Sequence, residues 1–397
     1  MKYISLKKYE YIYHGKSDDE YSRRFNSYDS VKVGVDIGSN PAFFVVTREI
    51  QEKALQVHKL DKIVLKLCND LPAEAIANYM LLCLINEIQI TNSIEGVHST
   101  KKEILNAYNK KGDRFSGIVG KYNLLVSGES IPLKTCQDIR NLYDELVLSE
   151  VLEESKDNMP DGKIFRKDIT YVRGRNIKPV HEGLFPEENI IDSMKKSLDF
   201  LNNEDGEILY RVAVFHYLFG YIHPFYDGNG RINRFISSYM LTRELEPVIG
   251  YSLSNTIKEE QALYNKTFID CNDEHNRGEL TMFVDMFLDI LVESIQLLIS
   301  ALESRSRSWK KYNNNIKLLP FADRKYFPSL YKILILRELF ATKRIDISEL
   351  KEEMKISEPT VRKLLSKLDD SGLLIKETSE RSYKYGINLD KADEYLN

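Results

Sequence analysis

The sequence has no apolar run long enough to cross a bilayer, and its longest apolar segments are broken by charges. A membrane-spanning role is therefore not expected. The N-terminal stretch MKYISLKKYEYIYHG lacks an unbroken apolar core, which argues against a secretory signal. Cysteine is scarce: Cys68, Cys83, Cys136 and Cys271 stand apart without CxxC spacing. That argues against a disulfide framework or a zinc site and for a reducing cytoplasm, the expected location. No large excess of either charge exists, the net being −4, so nothing draws the whole chain to nucleic acid or anionic lipid. Internal repeats and low-complexity tracts are also missing. What is present, 43% apolar and 29% charged residues over 397 positions, suits a globular protein of two or three domains.

Apolar residues recur at helical spacing in AEAIANYMLLCLINEIQI, TCQDIRNLYDELVLSEVL, EILYRVAVFHYLFGYI and TMFVDMFLDILVESIQLLISAL. Thr135 is placed to cap the second of these, with Pro132 suited to the entry. A strand is expected at AFFVVT, residues 42–47. The segment from Lys167 to Gly183, with β-branched residues, Gly174 and Pro179, reads as a short exposed hairpin. After Leu302 the polar run ESRSRSWKKYNNNIKLLP reads as a helix end and linker. The expected organisation is an N-terminal region (1–70), a helical domain (71–302), a linker (303–324) and a C-terminal unit (325–397). In that unit YKILILRELF, ISELKEEM with Ser348 as its cap, and SEPTVRKLLSKLDDSGLL are helices, and IKETSERSYKYGINL forms two strands. This is the order of a winged helix-turn-helix. Arg362, Lys363 and Lys367 could meet phosphates there, but acids and bases are nearly balanced, unlike a basic DNA footprint.

The densest chemistry lies in IHPFYDGNGRINRF, from Ile222 to Phe235. Proline disfavours helical geometry in the residue before it, so the preceding helix should stop at His223. Asp227-Gly228-Asn229-Gly230 is a turn composition, and RINRFISSYMLTREL resumes helical spacing. A glycine loop entering a helix N-terminus presents N–H groups to an anion. Arg231 and Arg234, three apart, add forked donors that match phosphate. Asp227 is a hard oxygen ligand, and Mg²⁺ needs little more than one carboxylate plus substrate phosphates. His223 is suited to accept a proton from a hydroxyl. Taken singly, each residue has an ordinary reading in a helix corner; together they describe a site for a phosphate-bearing substrate.

The set His223, Phe225, Asp227, Gly228, Asn229, Gly230, Arg231 and Arg234 matches the Fic family signature His-x-Phe-x-(Asp/Glu)-Gly-Asn-Gly-Arg-x-x-Arg in full. Eight fixed positions would coincide by chance at about 10⁻¹⁰ per window. The chain resembles a Fic protein from Pro72 to about Leu302. The resemblance implies a mainly α, Fic-type helical bundle with a β-hairpin flap. It also implies AMP transfer from ATP to a Tyr, Thr or Ser hydroxyl of a target protein, with release of pyrophosphate. His223 would be the general base and Asp227 the Mg²⁺ ligand. Gly228, Asn229 and Gly230 would line the anion hole, while Arg231 and Arg234 grip the distal phosphates. Val172, Arg173 and Gly174 sit where the family's flap approaches the nucleotide; Tyr264 and Asn272 keep the spacing of residues near the adenosine.

TNSIEG, from Thr91 to Gly96, resembles the family's inhibitory motif (Ser/Thr)-x-x-x-Glu-(Gly/Asn). It ends an inhibitory helix at about 74–96, with Gly96 as the natural stop. Glu95 would pair with Arg234 and compete with the γ-phosphate, since a carboxylate and a phosphate want the same guanidinium. Two alternatives stay open: a Glu95-dependent removal of AMP, and a DNA-binding regulator with a nucleotide-sensing Fic domain. The target protein is unknown; self-modification, DNA through the winged helix and a homodimer are open, and no membrane partner is expected. VGVDIGSN and GESIPLKT look like phosphate loops only in part, and His216 reads as structural despite its spacing from His223.

Overall fold

A computed structural model describes residues 3–109, 114–173, 179–379 and 382–396. Among them are eighteen α-helices and three two-stranded antiparallel sheets, so the mainly helical class holds. The chain divides into two units, residues 1–62 with 84–296 and residues 63–83 with 297–397. No helix among the described residues is long and apolar enough to cross a membrane.

The first part of the chain forms α1 (Leu6–Tyr13), α2 (Ser17–Phe25), β1 (Ser30–Ile37), β2 (Asn40–Val45), α3 (Arg48–Asn69) and α4 (Ala73–Ile94). Next come α5 (Lys101–Asn109), α6 (Ser116–Ser127), α7 (Cys136–Leu146), α8 (Leu148–Glu154), β3 (Tyr171–Arg173) and β4 (Pro179–Glu182). Then follow α9 (Glu187–Leu201), α10 (Ile208–Ile222), α11 (Asn229–Thr242), α12 (Leu253–Glu259), α13 (Gln261–Asn272) and α14 (Thr281–Asn314).

The core of the first unit is built on α10. Buried on nearly all sides, it encloses Leu209, Val212, Phe215, Leu218, Phe219 and Ile222, each worth roughly 1.5–3 kcal/mol against exposure. It stops where expected, at the residue before Pro224. Thr135 caps α7 in a full capping box, its hydroxyl taking the Asp138 N–H while the Asp138 carboxylate takes the Thr135 N–H. The end of α4 is closed by a Schellman pair, Val97 N–H to Asn92 O at 2.9 Å and Gly96 N–H to Ser93 O at 3.2 Å. Gly96 has φ +79°, which only glycine adopts freely. Within VGVDIGSN, Gly38 turns between β1 and β2 and donates its N–H to the Tyr221 hydroxyl at 2.8 Å, so this is a hairpin corner.

In the second unit, the polar run after Leu302 is the end of a helix, as expected, but most of it is helix and not linker. The helix α14 continues to Asn314, because Leu302, Ser306, Trp309 and Tyr312 recur on one buried face within the charged stretch. Beyond it lie α15 (Phe327–Phe340), α16 (Ile347–Met354), α17 (Glu358–Asp370), β5 (Leu374–Ser379), β6 (Ser382–Ile387) and α18 (Leu389–Leu396). The cap of α16 is Asp346, not Ser348: Asp346 and Glu349 make a reciprocal capping box two residues earlier than the sequence suggested. Ser348, already inside the first turn, is exposed. Val361, Leu364, Leu365 and Leu368 form the buried stripe of α17. On its outer side Arg362 pairs with Glu358 at 2.7 Å, and Asp369 is taken by Lys376 of β5.

Candidate active site

The turn between α10 and α11 carries the signature residues. His223 closes α10 in a left-handed conformation (φ 51°, ψ 63°), still donating its N–H to Phe219 O at 3.0 Å. Gly228, also left-handed at φ +77°, opens α11. A Cβ there would press on Val147, Tyr143 and Val151, so glycine is required by both conformation and space. The loop is stapled by Asn229, whose amide accepts from Phe225 N at 3.0 Å and donates to Phe225 O at 2.7 Å. Phe225 stacks on Tyr143 with centroids 3.7 Å apart, and the Tyr143 hydroxyl donates to Asp227 O at 3.2 Å. The Asn229 side chain thus shapes the loop from within, and the first N–H groups of α11 have no acceptor inside the helix.

The two arginines are held by different helices. Arg234 donates from Nε to Thr91 Oγ1 at 2.6 Å, and from Nη2 to Thr91 O at 3.1 Å and Glu95 Oε1 at 2.7 Å. Its side chain is 7% exposed and that of Glu95 25%, so this pair lies at the rim of a largely dry site. A Cβ on Gly230 would collide with the same Glu95 oxygen, so the glycine loop and the α4 terminus share one space. Arg231 is fully buried and donates from Nη1 to Glu150 Oε2 at 3.0 Å. Loss of water pushes the Glu150 carboxyl up to about 7 despite the cation beside it. Nε and Nη2 of Arg231 are buried without a partner among the described residues. Buried donors of this kind are costly unless something accepts from them, and phosphate oxygens fit a guanidinium fork.

His223 is half-buried. Lost hydration is the largest cause that brings its pKa down to about 4, with His181 and Arg166 adding to it and Glu95 opposing. The imidazole is therefore neutral at physiological pH, the form that can accept a proton. On β4, His181 hydrogen-bonds Tyr221 O at 2.6 Å and stacks on Tyr221, tying the hairpin to the end of α10. Val172 and Arg173 lie on β3, paired with His181 and Pro179; Gly174 lies outside the described residues.

On another side of α10, Tyr264 meets His216. The Ser237 hydroxyl donates to Asn233 O at 3.0 Å, so His216 Nδ1 must donate to Ser237 Oγ at 2.8 Å. His216 Nε2 then accepts from the Tyr264 hydroxyl at 2.9 Å. Burial holds the His216 pKa down at about 3, so the ring stays neutral in this structural role. Asn272 accepts from the Tyr217 hydroxyl, and its Nδ2 is buried without a partner among the described residues.

Asp227 is half-buried, with one carboxylate oxygen on the Gly228 N–H. Among the described residues no group of three or more His, Cys, Asp or Glu side chains could hold a metal. The single Asp227 carboxylate is a hard oxygen donor, of the kind Mg²⁺ takes from a protein when phosphates supply the rest.

Sequence reasoning missed Tyr143, Glu150 and Arg166. Glu150 had a signal: it falls on the apolar stripe of Leu146, Val147 and Val151, where an acid needs a partner. Nothing local marks the other two.

The family model described as Fic/DOC family matches residues 134–241. The protein adenylyltransferase fic-1 of Caenorhabditis elegans is 24% identical over 180 residues, covering 43% of this chain and 32% of that protein. The protein adenylyltransferase Fic of Drosophila willistoni is 29% identical over 144 residues, covering 36% of this chain and 26% of that protein. The chain thus spans a third or less of the length of these curated relatives. A Fic family protein from Desulfovibrio desulfuricans shares the fold with TM-score 0.53 and 18% identity, over 87% of this chain and 97% of that one. The signature loop, its place between α10 and α11 and the matched family model lead to one conclusion: the chain carries a Fic/DOC family domain over residues 134–241.

Proposed function

We propose that this chain is a self-inhibited protein adenylyltransferase, which moves AMP from ATP to a Tyr, Thr or Ser hydroxyl of a target protein. His223 takes the hydroxyl proton while that oxygen attacks the α-phosphorus. The bond to the bridging oxygen breaks, and pyrophosphate leaves with the electron pair. The N–H groups at the start of α11 and the unpartnered donors of Arg231 receive phosphate oxygens. Mg²⁺, held by Asp227 when bound, would offset phosphate charge. Tyr264 and Asn272 serve the adenosine side, and the β3–β4 hairpin receives the extended target segment.

The observation that carries this reading is the ion pair of Glu95 with Arg234 at 2.7 Å, next to Gly230. A carboxylate there stands where a distal phosphate would be gripped, and the two cannot share one guanidinium. The test is labelling from ATP with Mg²⁺ by the full chain, its Glu95→Gly variant and the double variant with His223→Ala. Label should rise in the first variant and vanish in the second; no label on itself or on lysate proteins in any of the three would end this reading.

Removal of AMP by a water held at Glu95 has support from the quarter exposure of that side chain, which leaves room for a solvent contact. In that case Glu95→Gly would abolish release of AMP from a modified target. A DNA-bound regulator has less support, because acids and bases are nearly balanced in this unit and Arg362, one of the three candidate contacts, is already paired with Glu358.

A further inference from the structure

Arg166 is fully buried, and each of its hydrogen-bond acceptors is a backbone carbonyl. Nε donates to His223 O at 2.8 Å, Nη1 to Asp168 O at 2.6 Å and Nη2 to Leu184 O at 2.8 Å. Its own N–H donates to Pro224 O at 3.2 Å. A buried cation held by neutral acceptors alone is expensive, so a purely structural need would be met more cheaply by an apolar side chain. The acceptors belong to three places that the fold must hold together. Asp168 leads into β3, Leu184 follows β4, and His223 with Pro224 is the catalytic turn.

We propose that Arg166 is the positioning residue of the His223 base, fixing the left-handed turn at His223 to the foot of the β3–β4 hairpin. This rests on the reading of His223 as the base. Two further features support it. Glu187 accepts the N–H groups of Lys163, Ile164 and Phe165 at 2.8, 2.7 and 2.9 Å, so the backbone that delivers Arg166 is itself pinned. A Cβ on Gly183 would strike the Arg166 guanidinium and come within 3.0 Å of His223 Cβ, so the chain keeps this position bare where the three meet. A planar fork holds donors on three separate nitrogens at fixed positions, which suits acceptors on three segments better than the single rotating ammonium of lysine.

Arg166 also acts by charge. The charged and titratable groups facing His223 are Arg166, His181 on β4 and Glu95 after α4. The first two favour the neutral ring and the third opposes them. Arg166 therefore holds the place of the ring and, behind burial and His181, adds to what keeps it neutral.

The experiment uses the full chain carrying Glu95→Gly, with Arg166→Met and Arg166→Lys added separately. His223 is titrated by NMR through its ring signal, identified by its loss in His223→Ala, and AMP transfer is followed in parallel. Arg166→Met should raise the His223 pKa and lower kcat about a hundredfold, as expected for a slightly misplaced reacting group, with KM for ATP unchanged. Arg166→Lys should return the pKa towards the parent value without restoring kcat, because it supplies charge without the fork. A folded Arg166→Met protein with unaltered His223 titration and kcat overturns the proposal, as does a fall confined to KM. If Arg166→Met does not fold, Gly183→Ala, which crowds the same guanidinium but keeps its charge, takes its place: kcat should fall with KM for ATP unchanged while the His223 pKa stays near the parent value, and an unaltered kcat overturns the proposal. Should the Glu95→Gly parent transfer no AMP, the adenylyltransferase reading fails by itself, and the titration still decides whether Arg166 governs His223.

Discussion

Replacing Glu87 by glutamine should stabilise the first unit at alkaline pH and leave it unchanged in acid. Glu87 lies on α4, 1% exposed, and accepts the N–H of Ser254 at 3.1 Å and its hydroxyl at the start of α12. Burial is the largest influence on it and raises its pKa from 4.5 to about 7, against the opposing pull of Ser254 and Arg234. A raised folded-state pKa means that native protein holds a proton which the unfolded chain gives up. The stabilisation is complete below about 4.5 and is lost as pH rises through about 7. At about 1.4 kcal/mol per pH unit, the loss is of order 3 kcal/mol. Glutamine copies the protonated acid, with its carbonyl on the Ser254 N–H and its amide on the Ser254 hydroxyl, but does not titrate. The variant should match the parent near pH 4 and exceed it by about 5–10 °C in thermal midpoint above pH 8. Some pH dependence should survive, since Glu150 is shifted the same way. Midpoints that stay equal across the range, or a variant less stable at every pH, would refute the reasoning.

Glu95→Gly removes one charged hydrogen bond from Arg234, worth about 1.5–3 kcal/mol, so ATP should bind about ten- to a hundredfold more tightly by calorimetry; equal affinities would count against competition at that guanidinium. Because His223 is held down at about 4, its accepting form dominates at any higher pH, and kcat/KM of the Glu95→Gly enzyme should be flat from about pH 5 to 8. An acid limb near the ordinary histidine value would contradict that environment. Glu150→Ala leaves Arg231 buried without its carboxylate and should cost about 3–5 kcal/mol in denaturant unfolding, with Glu150→Gln milder. Asp346→Ala should cost the second unit about 1 kcal/mol and Ser348→Ala almost nothing, since only the former caps α16.

Local features of the sequence anticipated local features of the fold. The stop at His223, the cap at Thr135, the terminus at Gly96 and the glycine turn into α11 each follow from steric or capping rules that act over a few residues. The reading erred where two local rules competed. Ser348 and Asp346 are both good caps, and the reciprocal partner Glu349 decides for Asp346. The charged composition after Leu302 hid a buried stripe at helical spacing, which packing favours over composition. What stayed out of reach depends on contacts between distant segments. Tyr143 meets Asp227 across 84 positions and Arg166 meets His223 across 57, and no periodicity encodes such pairs.

The uncommitted donors of Arg231 have an energetic consequence. Their water is stripped when the chain folds, so an oxygen arriving later meets a donor that needs no dehydration at the moment of capture. On the proposed function, affinity at this position is drawn from the stability of the protein without its substrate. A substitution that satisfied those nitrogens internally would harden the apo state and blunt recognition together, so gains in heat resistance at this spot should be paired with losses in ligand capture.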